Sequence, residues 1–163
     1  MQNVIIIIIA MCSIALGFIY YQEGPSDQRS IRKPSISHYD KTWLRDFDNA
    51  VLEAKSNNKV ILMVFTGSDW CPPCISLHKF IFSDQSFIDF AKEKLVLLVV
   101  DFPRRRTLTP SLAKHNAELK RRFGPMGYPT MVMIDNIGNE IARFPYRREK
   151  PQKFTEKILT YIN

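Results

Sequence analysis

The stretch FTGSDWCPPCISLHKF, from Phe65 to Phe80, decides the fold of this chain. It contains Cys71 and Cys74, two of the three cysteines in the sequence, with two prolines between them. Proline lacks a backbone N–H and is tolerated in the first turn of a helix, where that group has no intrahelical partner. The stretch therefore predicts a helix that begins at the cysteines. A Cys-x-x-Cys pair by itself leaves three uses open: a structural disulfide, a metal site or a redox-active dithiol.

Continuous apolar runs lie on both sides of this stretch. The runs at 60–65 and 95–101 lack the alternation of a half-exposed strand, so they predict two strands buried on both faces. Before the first run, apolar residues recur at spacings of three and four. This spacing predicts an amphipathic helix that contains Trp43, Leu44, Phe47, Ala50, Val51 and Ala54.

The C-terminal half continues the alternation of helices and strands. Ser83–Asp84 are suited to cap another helix, and further helices are predicted at 110–123 and 151–162. Two short strands, 130–134 and 140–144, flank the turn DNIG and predict a hairpin. This order predicts an α/β domain with a mixed central sheet and helices on both faces. Four phenylalanines are predicted in or near its core: Phe80, Phe82, Phe87 and Phe90.

The N-terminus is an uncharged apolar segment, VIIIIIAMCSIALGFIYY, at 4–21. Its length fits both a signal peptide and a short membrane helix, and Tyr20–Tyr21 are typical of a membrane interface. We predict that 1–21 are a signal peptide or N-terminal membrane anchor. The polar residues 22–37 then form a flexible linker, and 38–163 form the folded domain.

The charges around the apolar segment argue against export. No Lys or Arg precedes the segment, whereas Arg29, Arg32 and Lys33 follow it closely. The positive-inside rule alone would leave the domain in the cytoplasm. We still predict export, because an apolar N-terminal segment on an otherwise soluble domain is usually an export signal.

The chain of 163 residues carries a formal net charge of +7 and is 45% hydrophobic, enough to build a core without disulfide staples. Its basic residues cluster at 104–106, 120–122 and 147–148. No nucleic-acid-binding motif accompanies these clusters, so we predict no nucleic-acid partner. We interpret them as solvated surface, with a docking patch for acidic partners as the alternative.

Two motifs together carry a family resemblance. Trp70-Cys71-Pro-Pro-Cys74 follows a strand and opens a helix, and Gly-Tyr128-Pro129-Thr precedes the predicted hairpin. This combination, far more specific than Cys-x-x-Cys alone, resembles the thioredoxin superfamily over roughly residues 38–163. With the apolar N-terminus, the chain is similar to the periplasmic Dsb-type thiol–disulfide oxidoreductases. The resemblance implies a thioredoxin-like fold, a cis peptide bond before Pro129 and a redox-active disulfide between Cys71 and Cys74.

The chemistry assigns different roles to the two cysteines. Cys71 lies at a helix N-terminus, whose partial positive charge favours its thiolate, so Cys71 is the predicted nucleophile. Cys74, one turn further in, is the predicted resolving thiol. By the resemblance, Pro129 and Tyr128 shape a groove that pairs with an extended substrate. Trp70 is the third candidate residue of this groove.

The active-site dipeptide Pro72–Pro73 predicts a reducing enzyme. The prolines delete two N–H donors that could stabilise a Cys71 thiolate and leave that of Cys74. A less stabilised reduced form is a better electron donor, so we predict a protein-disulfide reductase. The alternative is an oxidising, disulfide-forming enzyme.

The sequence departs from the thioredoxin pattern in two places. Thioredoxins carry a buried Asp on the strand before the cysteines and a Lys on the next strand, but the runs ILMVF and LVLLVV contain neither. Asp69 lies in the loop and is not an evident substitute. The segment from Asp101 to Pro129 is also longer and contains the arginines at 104–106, which makes it a candidate for partner choice.

Other functions remain open as alternatives. A permanent disulfide is disfavoured, because so small a loop constrains the unfolded chain little. Cys71, Cys74 and His78 could supply three metal ligands, but a fourth is missing, so no metal site is predicted and a thioredoxin-fold copper carrier is the alternative. A binding module that uses its basic surface is the third possibility. No cofactor is required, because the dithiol is itself the redox group.

The predicted partners follow from this chemistry. They are disulfide-containing exported proteins and an unnamed electron donor, for which a membrane reductase is one candidate. We predict a monomer in the periplasm, with 4–21 as a tether to the inner membrane if the segment is not cleaved.

Overall fold

The computed structural model of the chain describes residues 39–162, all of which belong to the unit Ser37–Asn163. The predicted signal peptide or anchor at 1–21 and the predicted linker at 22–37 lie outside the described residues. Among residues 39–162, no helix is long and apolar enough to cross a membrane.

Helices and strands alternate along the described residues, as the apolar patterns predict. Their order is α1 (Phe47–Asn57), β1 (Val60–Thr66), α2 (Pro72–Leu77), a π-helical turn (His78–Phe82), α3 (Gln85–Lys94), β2 (Leu95–Asp101), α4 (Pro110–Phe123), β3 (Thr130–Ile134), β4 (Glu140–Pro145) and α5 (Pro151–Ile162).

The four strands form one mixed sheet in the order β2-β1-β3-β4. β1 pairs with β2 in parallel and with β3 in antiparallel orientation, and β3 pairs with β4 in antiparallel orientation. In the parallel pair, Thr66 lies opposite Asp101 at the carboxyl ends of both strands. The loop that carries Cys71 therefore starts at the same sheet edge as the loop that follows Asp101.

Helices cover both faces of this sheet, which confirms the predicted α/β, thioredoxin-like architecture. Successive side chains of a strand point to opposite faces. Leu62 and Val64 of β1 accordingly pack with α2, α3 and α5, whereas Ile61, Met63 and Phe65 pack with α1 and α4. Both faces are buried, which explains why the strand sequences are continuous apolar runs.

The first helix begins later than the apolar spacing predicted. Asp46 caps α1 by accepting a hydrogen bond from the Asn49 N–H at 2.8 Å. Leu44 lies outside the helix and forms an isolated parallel bridge with Leu98 of β2. Trp43 and Leu44 fit the helical spacing because they are packed against the sheet, not because they are helical.

The π-helical turn corrects a second prediction. The Ser83 N–H donates to the His78 carbonyl at 3.0 Å, the five-residue spacing of a π-helix. The wider turn changes which side chains face inward, so Phe80 is 56% exposed while Phe82 is 4% exposed. The prediction that Phe80 lies in or near the core was therefore wrong. Phe82 and Phe87 are buried, and Phe90 packs against the core.

β4 is the outer strand of the sheet beside β3. It carries Glu140 and Arg143, whose side chains form a two-pronged ion pair with N···O distances of 2.7 and 2.6 Å. The strand ends at Pro145.

Candidate active site

The two cysteines occupy the start of α2. Cys71 is the N-cap residue in an extended conformation, and Pro72 and Pro73 fill the first two helical positions. A disulfide joins Cys71 to Cys74, with their Cα atoms 5.3 Å apart. Cys71 is 3% exposed and Cys74 is 1% exposed, so the oxidised pair is almost covered.

The first turn of α2 offers the Cys71 sulfur few hydrogen-bond donors. The helix has no side-chain cap bond. The N–H groups of Cys74 and Ile75 both donate to the Cys71 carbonyl at 3.0 Å. From the sequence, the Cys74 N–H was expected to donate a hydrogen bond to the Cys71 thiolate. In the oxidised protein, it donates to the Cys71 carbonyl instead.

The loop before β3 lies against the cysteines. The Tyr128–Pro129 peptide bond is cis, as the resemblance implied, and Pro129 is buried. The Cys71 Sγ lies 3.6 Å from the Tyr128 carbonyl oxygen. The structure therefore brings together Cys71, Cys74, Tyr128 and Pro129, the residues that the two motifs singled out.

Trp70 is fixed beside this loop. Its indole N–H donates to the Phe102 carbonyl at 2.7 Å, and its ring meets Tyr128 edge to face with 6.0 Å between centroids. A Cβ atom on Gly67 would lie 2.4 Å from the Trp70 ring, so this close approach requires glycine. The Arg104 guanidinium stacks on the Trp70 ring at 3.7 Å from its centroid.

A buried polar cluster below the loop was not foreseen from the sequence. The Asp101 carboxylate accepts hydrogen bonds from the Ser68 N–H at 2.9 Å and the Ser68 hydroxyl at 2.6 Å, and it pairs with the Arg106 guanidinium. The Asn116 side-chain amide donates to the Asp101 backbone carbonyl at 2.7 Å. One sequence signal was present, because Asp101 is the single charged residue at the end of an apolar strand.

Asp69 binds the basic loop through backbone groups. Its carboxylate accepts hydrogen bonds from the N–H groups of Arg104 and Arg105, both at 2.9 Å. Desolvation opposes ionisation, but these bonds and the charge of Arg106 outweigh it and hold the pKa of Asp69 below its usual value. Asp69 is thus a link between two loops.

Arg104 and Arg105 are exposed, as the interpretation of residues 104–106 as solvated surface expects, but the loop also makes specific contacts and Arg106 is only partly exposed. Arg104 stacks on Trp70, Arg106 pairs with buried Asp101, and the backbone of Arg104 and Arg105 binds Asp69. The basic loop is part of the wall of the candidate active site.

His78, considered as a possible metal ligand, lies in the π-helical turn. Its ring packs edge to face on Tyr39 with 4.9 Å between centroids. Among residues 39–162, no group of three or more His, Cys, Asp or Glu side chains is arranged to hold a metal ion.

A sequence profile of the thioredoxin-like domain matches residues 47–160. The chain belongs to the thioredoxin-like family. This thioredoxin-like protein is 31% identical to the disulfide bond reductase DsbH of Chlamydia pneumoniae over 112 residues, which cover 69% of this chain and 68% of DsbH. It is 28% identical to the thioredoxin-related protein DsbJ of the same organism over 101 residues, but this match spans only 29% of DsbJ.

Solved structures agree with this assignment. The structure of a DsbH oxidoreductase superposes with a TM-score of 0.70 at 27% identity, covering 85% of this chain and 94% of that one. A thioredoxin from Thermus thermophilus superposes with a TM-score of 0.52 at 19% identity, a likeness of fold alone. The predicted Dsb-type resemblance is confirmed. The relatives, together with the Cys71–Cys74 disulfide, make this thioredoxin-like protein a thiol–disulfide oxidoreductase.

Proposed function

We propose that this protein reduces disulfides in exported proteins, with Cys71 as the attacking thiol and Cys74 as the resolving thiol. The observation that carries the proposal is the position of Cys71. It caps a helix whose first two residues are prolines, and its sulfur lies 3.6 Å from the carbonyl of Tyr128 beside cis-Pro129.

The first step uses the reduced protein. The Cys71 thiolate attacks one sulfur of the substrate disulfide, and the substrate S–S bond breaks as a mixed disulfide forms. The departing substrate sulfur takes up a proton. Helix α2 assists, because its N-terminal partial positive charge favours the Cys71 thiolate.

The second step releases the substrate. Cys74 gives up its proton and attacks the Cys71 sulfur, which expels the second substrate sulfur as a thiol. Two electrons and two protons have then passed from the protein to the substrate, and the protein is left with the Cys71–Cys74 disulfide of the structure. A separate dithiol donor must restore the reduced form, and a membrane reductase is one candidate.

The loop that contains cis-Pro129 is the proposed substrate groove. Tyr128 and Pro129 lie on one side of Cys71, and the ring of Trp70 meets that of Tyr128. An extended substrate segment would pair with the backbone of this loop, and the Tyr128 and Trp70 rings would contact its side chains.

The scarcity of N–H donors around the Cys71 sulfur supports a protein that reduces substrate disulfides over one that forms them. Pro72 and Pro73 cannot donate, and the Cys74 N–H bonds to the Cys71 carbonyl. A thiolate that receives few hydrogen bonds is poorly stabilised, so the reduced protein gives up electrons readily. The name disulfide bond reductase, carried by DsbH of Chlamydia pneumoniae, supports the same direction.

We further propose that the protein works as a monomer in the periplasm. The apolar segment 4–21 supports export and can tether the protein to the inner membrane if it is retained. Fusion of alkaline phosphatase after residue 37 tests the location, because that enzyme needs an oxidising compartment to form its disulfides. An inactive fusion contradicts export.

The reduction potential of the Cys71–Cys74 pair decides whether the protein gives electrons to its substrates or takes them. It is measured on the full chain in graded dithiothreitol or glutathione buffers. A value near −270 mV, as in thioredoxin, is expected. A value near −120 mV, as in the oxidising enzyme DsbA, would overturn the proposal.

The roles of the two cysteines are tested separately. The Cys74→Ser variant should accumulate a mixed disulfide between Cys71 and a substrate, because no resolving thiol remains. The Cys71→Ser variant should form none. The opposite pattern would reassign the nucleophile.

A further inference from the structure

The basic loop after β2 is held rigidly against the active-site loop. The Phe102 carbonyl accepts from the Trp70 indole N–H, and the Asp69 carboxylate accepts from the backbone N–H groups of Arg104 and Arg105. These three bonds fix the backbone of the basic loop beside Cys71. The backbone positions from which the side chains of Arg104 and Arg105 extend are therefore fixed by the fold.

The three arginines of this loop have different surroundings. The Arg106 guanidinium forms an ion pair with the buried Asp101 carboxylate, so its charge is already compensated within the protein. Arg104 is exposed, and its guanidinium carbon lies over the Trp70 ring at 3.7 Å from the centroid. Within residues 39–162, no carboxylate forms an ion pair with Arg104. Its charge is thus oriented at the site and available to a partner.

A second cation lies beside the same aromatic cluster. The Lys120 Nζ is 5.4 Å from the Phe102 ring centroid and 5.7 Å from that of Tyr128. Tyr128 in turn stacks on Phe102 and meets Trp70 edge to face. The described residues give Lys120 no ion pair either.

The aromatic cluster therefore presents two oriented cations next to the reactive sulfur. Its rings belong to Trp70, Tyr128 and Phe102, and the backbone of Tyr128 lies 3.6 Å from the Cys71 Sγ. Arg104 lies over the ring of Trp70, the residue before Cys71, and Lys120 lies near the ring of Tyr128, whose carbonyl is next to the Cys71 sulfur. Stacking on aromatic rings holds the cations in place and lowers the entropy lost when a carboxylate binds them.

We infer that Arg104 and Lys120 select substrates whose disulfide is flanked by aspartate or glutamate. The inference rests on the proposed reduction of protein disulfides and specifies its substrate class. Carboxylates on the incoming segment raise the rate of encounter and pair with the two cations in the mixed disulfide. The formal net charge of +7 favours the same partners at longer range.

The test uses the reduced full-length protein and three synthetic peptides, each with one internal disulfide. The residues that flank the disulfide are Asp and Glu in the first peptide, Asn and Gln in the second, and Lys in the third. The second-order rate constant of thiol–disulfide exchange is measured for each peptide. We expect the acidic peptide to react about tenfold faster than the amide peptide at low salt. The ratio should fall towards one at 1 M salt, where the Debye length is about 3 Å.

Charge reversal separates this selection from a loss of folding. The Arg104→Glu variant should prefer the lysine peptide over the acidic one, an inversion that an unfolded protein would not show. The matched control is Arg105→Glu, which makes the same change in net charge on a side chain without a ring contact, and it should keep the acidic preference. Lys120→Gln should reduce the preference, whereas Lys114→Gln, earlier on the exposed side of α4, should not.

The remaining outcomes distinguish the inference from the proposed function. Equal rates for the three peptides with the wild-type protein would overturn the inference while leaving the reductase function intact. The inference also fails if Arg104→Glu and Arg105→Glu shift the preference equally, since net charge alone would then explain it. No exchange with any peptide would overturn the proposed function together with the inference.

Discussion

The Asp101 carboxylate accepts two hydrogen bonds from Ser68, one from its backbone N–H at 2.9 Å and one from its hydroxyl at 2.6 Å. Asp101 ends β2, and Ser68 lies three residues before Cys71 in the loop after β1. Both residues are buried. The parallel pairing of β1 with β2 thus continues beyond the strands as a side-chain connection that supports the active-site loop.

Asp101→Asn should destabilise the protein by about 2 kcal/mol, because it removes the charge that compensates the half-buried Arg106 guanidinium and weakens the bonds to Ser68. Urea unfolding measures this change, and amide hydrogen exchange at Ser68 should accelerate. The control is Glu156→Gln, the same change of charge at an exposed position on α5. An Asp101→Asn protein as stable as that control would show that the cluster contributes nothing to stability.

Gly67→Ala should displace the Trp70 ring, since the new methyl group would lie 2.4–2.7 Å from three of its atoms. We expect a loss of about 2 kcal/mol and an altered near-ultraviolet circular dichroism spectrum. Gly127→Ala is the control, because its Cβ would have no neighbour within 4 Å. Equal stability of the two variants would mean that the Gly67 position can accept a side chain.

Phe82→Ala should cost about 3 kcal/mol or more, whereas Phe80→Ala should cost less than about 1 kcal/mol. Phe82 packs against Trp43, Phe87 and Phe154, while Phe80 is mostly exposed. Thermal or urea unfolding of the pair measures the difference. Similar losses for the two variants would contradict the π-helical turn at His78–Phe82.

Pro73→Ala should make the protein less reducing. Position 73 is the second helical residue, whose N–H is placed to bond the side chain of the N-cap Cys71. One such bond to a thiolate, worth about 1.4 kcal/mol, corresponds to a rise in reduction potential of about 30 mV. Pro72→Ala restores an N–H at the first helical position, which is less well placed than that of the second to bond the cap side chain, and should shift the potential less. A larger shift for Pro72→Ala would refute the donor argument.

Tyr39 gives the protein a pH dependence above pH 10. Desolvation by burial is the main cause that raises the pKa of its hydroxyl well above the ordinary value of 10.0. In the unfolded chain this tyrosine ionises near pH 10 while the folded protein keeps it neutral, so stability is full below pH 10 and falls as the pH rises further. Tyr39→Phe should lose less stability between pH 9 and pH 11 than the wild type. Tyr161→Phe, at an exposed site, should follow the wild type.

Apolar patterns and backbone chemistry predicted most of the fold. The run LVLLVVD became β2 with the predicted bounds, and the two prolines placed the start of α2. Both signals are local, since a buried strand and a missing N–H are visible in a few residues. The spacing of Trp43 and Leu44 wrongly indicated a helix there, because burial against a sheet can imitate a helical stripe.

The candidate site was predictable where motifs encode it and not where it depends on tertiary pairing. Cys71, Cys74 and cis-Pro129 came from two motifs and their resemblance. The Asp101–Ser68–Arg106 cluster depends on the register of β1 against β2, which brings together residues more than thirty positions apart in the chain. The stacking of Arg104 on Trp70 likewise follows from the path of a loop that no local pattern specifies.

The outer strand β4 limits how this protein can assemble. An open sheet edge is a template for pairing with another chain, and proteins discourage such pairing with charged side chains and proline. β4 carries the Glu140–Arg143 ion pair, and it ends at Pro145, which cannot donate a ladder hydrogen bond. These features disfavour the addition of another extended chain at this edge, the kind of pairing that seeds aggregation.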